Sequence, residues 1–268
     1  MRIYHYTSIQ TLALILKYRT IRFNRLDRVD DLEESIYGSG STQTKLSKYT
    51  FVSCWTKSEQ ENLALWNMYT RYKGVRIGLD EMPFKTFRVN EHFSSLLPEA
   101  LTLGVDSIMS SFINEAKLHD IHYVDSPETE IKKIIESTGN GFVVNTDSIG
   151  TFKRKEWAMQ QESRFKITVL PVDAFAAAKQ TSPSPDASPN AFLFKMLETL
   201  GPSIKKNRPI NRTYIDIELD PEKLAEIEIM MGPLTTESDR IIVESLLTPY
   251  PQAIIINSFF CGKLQEKN

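Results

Sequence analysis

The segment Lys153–Arg164 (KRKEWAMQQESR) carries the side chains most able to do chemistry, in the order W-x-x-Q-x-E-x-R: Trp157, Gln160, Glu162 and Arg164. Read as a strand, it puts residues two apart on one face, so Gln160, Glu162 and Arg164 point the same way. An amide, a carboxylate and a guanidinium on one face require the carboxylate to be paired, solvated or used. An exposed strand edge with a Glu–Arg pair satisfies the same pattern, and such pairs contribute little.

Two other constellations stand out. Tyr4-His5-Tyr6-Thr7 ends a strand and leads into a helix start, where a partial positive charge favours phosphate or carboxylate. His5 there is either a ligand-holding imidazole or a buried histidine bonded to backbone. Ser53-Cys54-Trp55, followed by Trp66 and Tyr69, offers flat apolar faces with polar edges. These suit stacking on an aromatic ring, or the packing of a strand against its helix.

The elements that must position these groups follow from periodicity. Arg2–Tyr6 reads as a strand. Thr7 and Gln10 fit a capping box, and Ile9, Leu12, Ala13 and Leu16 form a helical stripe. Thr20–Asn24 is a second strand, followed by an acid–base alternation, Arg25–Glu34, expected in a surface loop or short helix. Tyr49–Thr56 is strand-like in its aromatic and β-branched content. Ser58 and Glu61 fit a second capping box before the helix bearing Leu65, Trp66 and Tyr69. Val75, Ile77 and Leu79 alternate as a strand. Residues 92–137 read as a helical insertion, 181–190 as an exposed Pro/Ser-rich loop, and 1–268 as one domain. The tail gives strands Tyr214–Leu219, Ile227–Met231 and Ala253–Asn257 and the helix Glu237–Leu247. Many short strands without regular βαβ alternation indicate an α+β fold with a twisted, mostly antiparallel sheet and flanking helices.

Composition narrows the class. Over 268 residues, 41% hydrophobic and 25% charged content is that of a globular protein, and a net charge of −2 argues against a surface wholly given to nucleic acid or anionic membrane. No apolar run approaches the roughly 20 residues of a membrane span. The N-terminus lacks the apolar core of a secretory signal. Cys54 and Cys261 form no CxxC, so a reducing cytoplasm is expected, with no membrane and no metal. His119-x-x-His122 lacks a third ligand and reads as a surface pair. There is no G-x-G-x-x-G, Walker A loop or G-x-S-x-G elbow. Lys205, Lys206, Arg208 and Arg212 form a small basic cluster, weak as a nucleic-acid signal.

Taken together, Tyr4–Ser8, Ile21–Phe23, Phe51–Trp55, Leu65–Tyr69, Gly74–Gly78, Trp157–Arg164 and Ile227–Pro233 resemble, in order, the motifs of a bacterial family of unknown function that opens on a YHYTS-like segment. Their order in turn resembles the His-Tyr-Glu branch of the ADP-ribosyltransferase superfamily. That resemblance implies a split sheet of ADP-ribosyltransferase-like type and NAD as substrate, without a metal. It implies catalytic His5, Tyr69 and Glu162, with Trp66 a rival to Tyr69. It implies cofactor contacts from Tyr6, Thr7, Arg25, Ser53, Trp55 and Trp66, and an acceptor positioned by Gln160 and Arg164. The expected activity is mono-ADP-ribosyl transfer to a protein or nucleic acid, in a toxin or phage-defence setting where an inhibitor protein is an expected partner. NAD hydrolysis on the same scaffold, or a non-catalytic nucleotide- or nucleic-acid-binding module, are the alternatives. Gln160 stands where the family more usually has Glu, and Asp30-Asp31-Leu32 where it tends to have Asn-Asp-Pro. A Glu162→Gln variant is expected to fold normally and lose activity.

Overall fold

A computed structural model describes residues 1–35, 46–88, 91–92, 94–97, 108–110, 116–138, 141–173, 195 and 198–265. The fold is α+β, built on a large, twisted, mostly antiparallel sheet with helices packed against it. Strand β1 (Arg2–Thr7) leads into helix α1 (Ile9–Tyr18), then β2 (Thr20–Arg25), β3 (Thr50–Thr56), α2 (Leu63–Thr70) and β4 (Val75–Asp80). In space the order runs from Tyr214–Glu218 through β2, β3, β1, β4 and Glu228–Met231 to Ile254–Asn257, and the long strand Glu162–Pro171 also joins β3.

One pairing arrangement shapes everything that follows. Glu162–Pro171 occupies one edge of β3 from Thr50 to Thr56. A strand has two edges, so β1 and β2 must share the other. β2 pairs there at Phe51 and Val52, and β1 at Thr56. Between these points, beside Ser53 and Cys54, β1 and β2 part and the sheet is split.

The core is apolar and drawn from both ends of the chain. Ile3, Leu12, Phe23, Phe51, Phe84 and Phe165 are almost wholly shielded, with Val243 and Leu247 from the helix Glu237–Leu247 in the same cluster. α1 buries Ile9, Leu12, Ile15 and Leu16, one stripe of an amphipathic helix. A smaller cluster of Tyr6, Leu65, Trp66 and Met230 fixes α2 to the opposite face of β1.

Several sequence expectations are corrected. β1 runs on through Thr7, so the N-cap of α1 is Ser8, whose hydroxyl accepts from Thr11 N at 3.1 Å. The N-cap of α2 is Asn62, not Ser58; its side-chain oxygen accepts from Ala64 and Leu65. Residues 155–160 form a 3-10 helix that ends at Gln161 in the left-handed region (φ 45°), and only at Glu162 does the strand begin. Among the described residues of 92–137, short strands predominate and the one helix is Pro127–Lys132, so the insertion is not helical there. His119 and His122, read as a surface pair, lie on successive short strands, His119 half-buried and His122 exposed. The Pro/Ser-rich loop 181–190 lies outside the described residues. No helix among the described residues is long and apolar enough to cross a membrane.

Candidate functional site

The split in the sheet is bridged by a side chain. His5 Nδ1 lies 2.9 Å from the Cys54 carbonyl oxygen. A carbonyl only accepts, so Nδ1 carries the hydrogen, and in the neutral ring Nε2 keeps a lone pair. Burial pushes the His5 pKa below its ordinary value, and the hydrogen bond to Cys54 opposes this only partly. His5 is therefore a neutral imidazole at pH 7, with Nε2 available as an acceptor.

Two adjoining cavities open around it. An open cleft of about 600 Å³ runs along the split and is walled by Thr7, Tyr18, Arg22, Asn24, Arg28 and Asp30, among others. That volume is in the range of ligand sites. A smaller cavity of about 60 Å³ is lined by His5, Cys54, Trp55, Tyr69, Gln160 and Glu162. His5, Tyr6, Cys54 and Tyr69 border both spaces.

Beneath the small cavity lies a buried charge quartet. Glu162 accepts from Arg164 Nε through Oε1, and from Lys153 Nζ through Oε2 at 2.7 Å. Arg164 also holds Glu34 through both terminal nitrogens and donates to the Gly150 carbonyl. Lys153 reaches Glu34 at 3.2 Å. All four side chains are at most 5% exposed. Burial disfavours an ionised Glu162, but the Arg164 guanidinium, and then the Lys153 ammonium, outweigh it and bring its pKa down to about 2. Two carboxylates against two cations leave the quartet neutral, the condition under which such burial is tolerated.

Gln160 and Tyr69 close the rim. Gln160 Oε1 accepts from Lys153 at 2.8 Å, and its Nε2 donates to the Tyr69 hydroxyl at 3.3 Å. The Tyr69 hydroxyl also lies 3.5 Å from Asp30 Oδ2. Burial, first, and the nearby Cys54, Asp30 and Glu162 raise the phenol pKa, so it stays protonated.

The residues singled out in the sequence divide into three groups. His5, Tyr69, Glu162, Gln160, Trp55 and Tyr6 all line the small cavity. Thr7 and Ser53 line the open cleft, although the Ser53 hydroxyl accepts from Trp55 Nε1 at 3.0 Å. Arg25, Trp66 and Arg164 border neither space. On β2 the pleat sends Thr20, Arg22 and Asn24 to the cleft and Arg25 to the other face. There Arg25 binds Asp27 and the carbonyls of Ile210 and Arg212. Trp66 is fully buried edge-on to Tyr6, with its Nε1 donating to Glu61. Arg164 spends its donors on Glu162, Glu34 and Gly150. Trp55 packs between Phe84 and Phe165, so its ring serves the core as much as the cavity.

Lys153, Glu34 and Arg22 belong to the site but were not singled out from the sequence, and Asp30 was noted there only as a departure from the family pattern. Lys153 had a local signal, a lysine inside the same segment as Gln160 and Glu162. Glu34 had none, because it sits in an acid–base alternation that reads as solvated surface. Among the described residues, no three His, Cys, Asp or Glu side chains cluster as a metal site. No protein-family model, no curated protein and no solved structure matches the chain.

Proposed function

We propose that the chain is an NAD-consuming enzyme of ADP-ribosyltransferase-like fold that transfers ADP-ribose to a protein or nucleic-acid acceptor. The observation that carries this reading is the meeting of His5, Tyr69 and Glu162, from three distant parts of the chain, around one cavity at the split of the sheet. In the reaction the bond between nicotinamide and ribose breaks and its electron pair leaves with nicotinamide. A lone pair of the acceptor forms the new bond to the ribose carbon, and the acceptor's proton passes to solvent. Positive charge builds on the sugar, as in glycoside cleavage. An ionised carboxylate in a shielded site stabilises that charge, and Glu162 is held ionised. His5 Nε2 accepts from a ribose hydroxyl and orients it. The Tyr69 ring packs on nicotinamide once the small cavity opens to admit it. The cleft takes the rest of the dinucleotide, with Arg28, rather than Arg25, supplying positive charge for the pyrophosphate, since Arg22 in the same wall is already paired with Asp216. With water as acceptor the same steps give NAD hydrolysis.

One observation favours a second reading. Both oxygens of Glu162 are already bound by cations. A carboxylate neutralised in this way stabilises a sugar cation less than a bare one, and a nucleotide-binding module without turnover fits that arrangement.

The deciding experiment follows nicotinamide release from NAD by the purified chain, with and without DNA, RNA and cell lysate, beside His5→Ala and Glu162→Gln kept below their melting temperatures. Release lost in both variants supports the enzyme. NAD binding by calorimetry without release supports the module, and neither release nor binding overturns both readings.

A further inference from the structure

The ammonium of Lys153 donates hydrogen bonds to Gln160 Oε1 at 2.8 Å and Glu162 Oε2 at 2.7 Å, and forms an ion pair with Glu34 Oε1 at 3.2 Å. It enters from the strand Phe152–Arg154, with the Trp157 ring 5.3 Å away, and is 4% exposed. An ammonium only donates. The amide of Gln160 therefore has a single orientation beside it, oxygen toward Lys153 and nitrogen toward Tyr69 and the cavity. A carboxamide without such a partner can turn over and present its oxygen instead.

We propose that Lys153 is a positioning residue: it locks the Gln160 amide so that an N–H faces the small cavity, and it pins Glu162 beside it, so that the site receives groups bearing a lone pair, such as a carbonyl oxygen or ring nitrogen, and not a guanidinium or ammonium.

Two further observations support the lock. The quartet carries no net negative charge to attract a cation, since Lys153 and Arg164 balance Glu34 and Glu162. The Tyr69 hydroxyl that accepts from Gln160 Nε2 is itself directed at Asp30, so it donates away from Gln160 and reinforces the same orientation. The titratable and charged groups facing Lys153 and Glu162 are Glu34 and Asp31 from the segment after β2, Cys54 from β3, Tyr69 from α2, Tyr123 from the strand His122–Val124 and Arg164. The ligand class deepens the functional reading above and rests on it for any statement about transfer; the lock itself does not need NAD.

The test uses the full chain and nuclear magnetic resonance. Lys153→Met alone leaves two buried carboxylates against one guanidinium and is a poor probe if it unfolds. The charge-balanced pair Lys153→Met with Glu34→Gln removes one charge of each sign and is the principal variant. In the native chain the Lys153 Nζ protons are expected to exchange slowly enough to be seen, because the ammonium is buried and hydrogen-bonded to both Gln160 and Glu162. In the double variant the Gln160 side-chain amide signals should shift and split into two orientations. The Glu162 carboxyl midpoint should rise by about one pH unit or more. Unchanged Gln160 signals in a folded double variant, or fast-exchanging Lys153 protons in the native chain, overturn the lock. Acetamide, which carries a carbonyl, should perturb the native Gln160 signals at concentrations where methylguanidinium does not. Equal response to both probes, or no response to acetamide, overturns the ligand class. Nicotinamide release is read on the same samples; its absence from the native chain sinks the enzyme reading while the resonance measurements still decide the role of Lys153.

Discussion

His5 Nδ1 and the Cys54 carbonyl oxygen, 2.9 Å apart, stand where β1 and β2 separate along one edge of β3. A side chain here does the work of a missing ladder hydrogen bond. The same bond fixes the imidazole tautomer and leaves Nε2 as the lone-pair nitrogen at the junction of the two cavities. The histidine is thus both a structural bridge and the means of presenting an acceptor, which joins two readings of His5 that the sequence kept apart.

That bridge should make stability depend on pH. The unfolded chain protonates His5 near its ordinary value of 6.5, whereas burial lowers the folded value. Below pH 6.5 the unfolded state binds the proton first, so stability is fully present above 6.5 and falls as pH drops toward the lowered folded value. Asn at this position keeps an N–H near the place of Nδ1 and does not titrate. Urea unfolding at pH 7.5 and 5.5 should show a loss in the native chain that His5→Asn reduces; an identical loss in both would assign the effect to another group.

The quartet changes what Glu162→Gln is expected to do. Removing one carboxylate leaves Arg164 and Lys153 sharing Glu34 alone, and an unbalanced buried charge of this kind costs about 3–5 kcal/mol. The variant should therefore melt well below the native chain, instead of folding normally. The native chain should also weaken in acid. Glu162 has its pKa brought from 4.5 down to about 2 by Arg164 and Lys153 against the opposing effect of burial. Its contribution is complete above 4.5 and is lost as pH falls from there toward 2. Thermal unfolding between pH 5 and 2 should show this loss in the native chain and much less of it in Glu162→Gln.

Local pattern and long-range pairing were not equally legible. The helix Glu237–Leu247 was readable to the residue, because its capping box and periodicity are contained in its own sequence. The strands Arg2–Thr7, Thr20–Arg25, Thr50–Thr56, Val75–Asp80, Tyr214–Glu218, Glu228–Met231 and Ile254–Asn257 were likewise placed to within one or two residues, whereas Ile108–Ser110 and Leu118–Asp120 fell inside the segment read as helical. The turn at Gln161 was not, since a glutamine in the left-handed region carries no glycine or asparagine signal. Gln160 and Glu162 come together through Lys153 rather than by sharing a strand face. Arg25 was expected to contact the cofactor although the pleat of β2 turns it away, and alternate residues there expose Arg22 instead. Glu34 could not have been found, because its partners lie 119 and 130 positions along the chain and a buried ion pair leaves no periodic trace.

Gly74 is the close approach that sets where Thr7 enters the cleft. A Cβ at this position would lie 2.3 Å from the Thr7 carbonyl oxygen and 2.8 Å from the Thr70 side chain. Backbone on one side and a helix end on the other leave no flexible atom to yield. Gly74→Ala should push β1 and β4 apart at Thr7 and Val75, at about 1–3 kcal/mol or more. Calorimetric melting checks this, and an unchanged melting temperature would mean that α2 can withdraw without cost.

Tyr69 offers the cleanest separation of ring from hydroxyl. Its ring borders both cavities at 41% exposure, while its hydroxyl links Gln160 and Asp30 through long hydrogen bonds of 3.3 and 3.5 Å. Bonds of that length at a partly exposed site contribute within about 1 kcal/mol, so Tyr69→Phe should keep the melting temperature within a few degrees. If the ring packs on nicotinamide, the flat face carries the energy. Tyr69→Phe should then bind NAD within about threefold of the native chain, and Tyr69→Ala at least tenfold more weakly, on the order of 1.4 kcal/mol. Calorimetric titration of the three proteins distinguishes the cases. A large loss already in Tyr69→Phe would move the contact to the hydroxyl and to the Gln160 amide it holds. Equal affinity in all three would remove Tyr69 from the nucleotide site, leaving it as the outer latch of the Asp30–Tyr69–Gln160 chain.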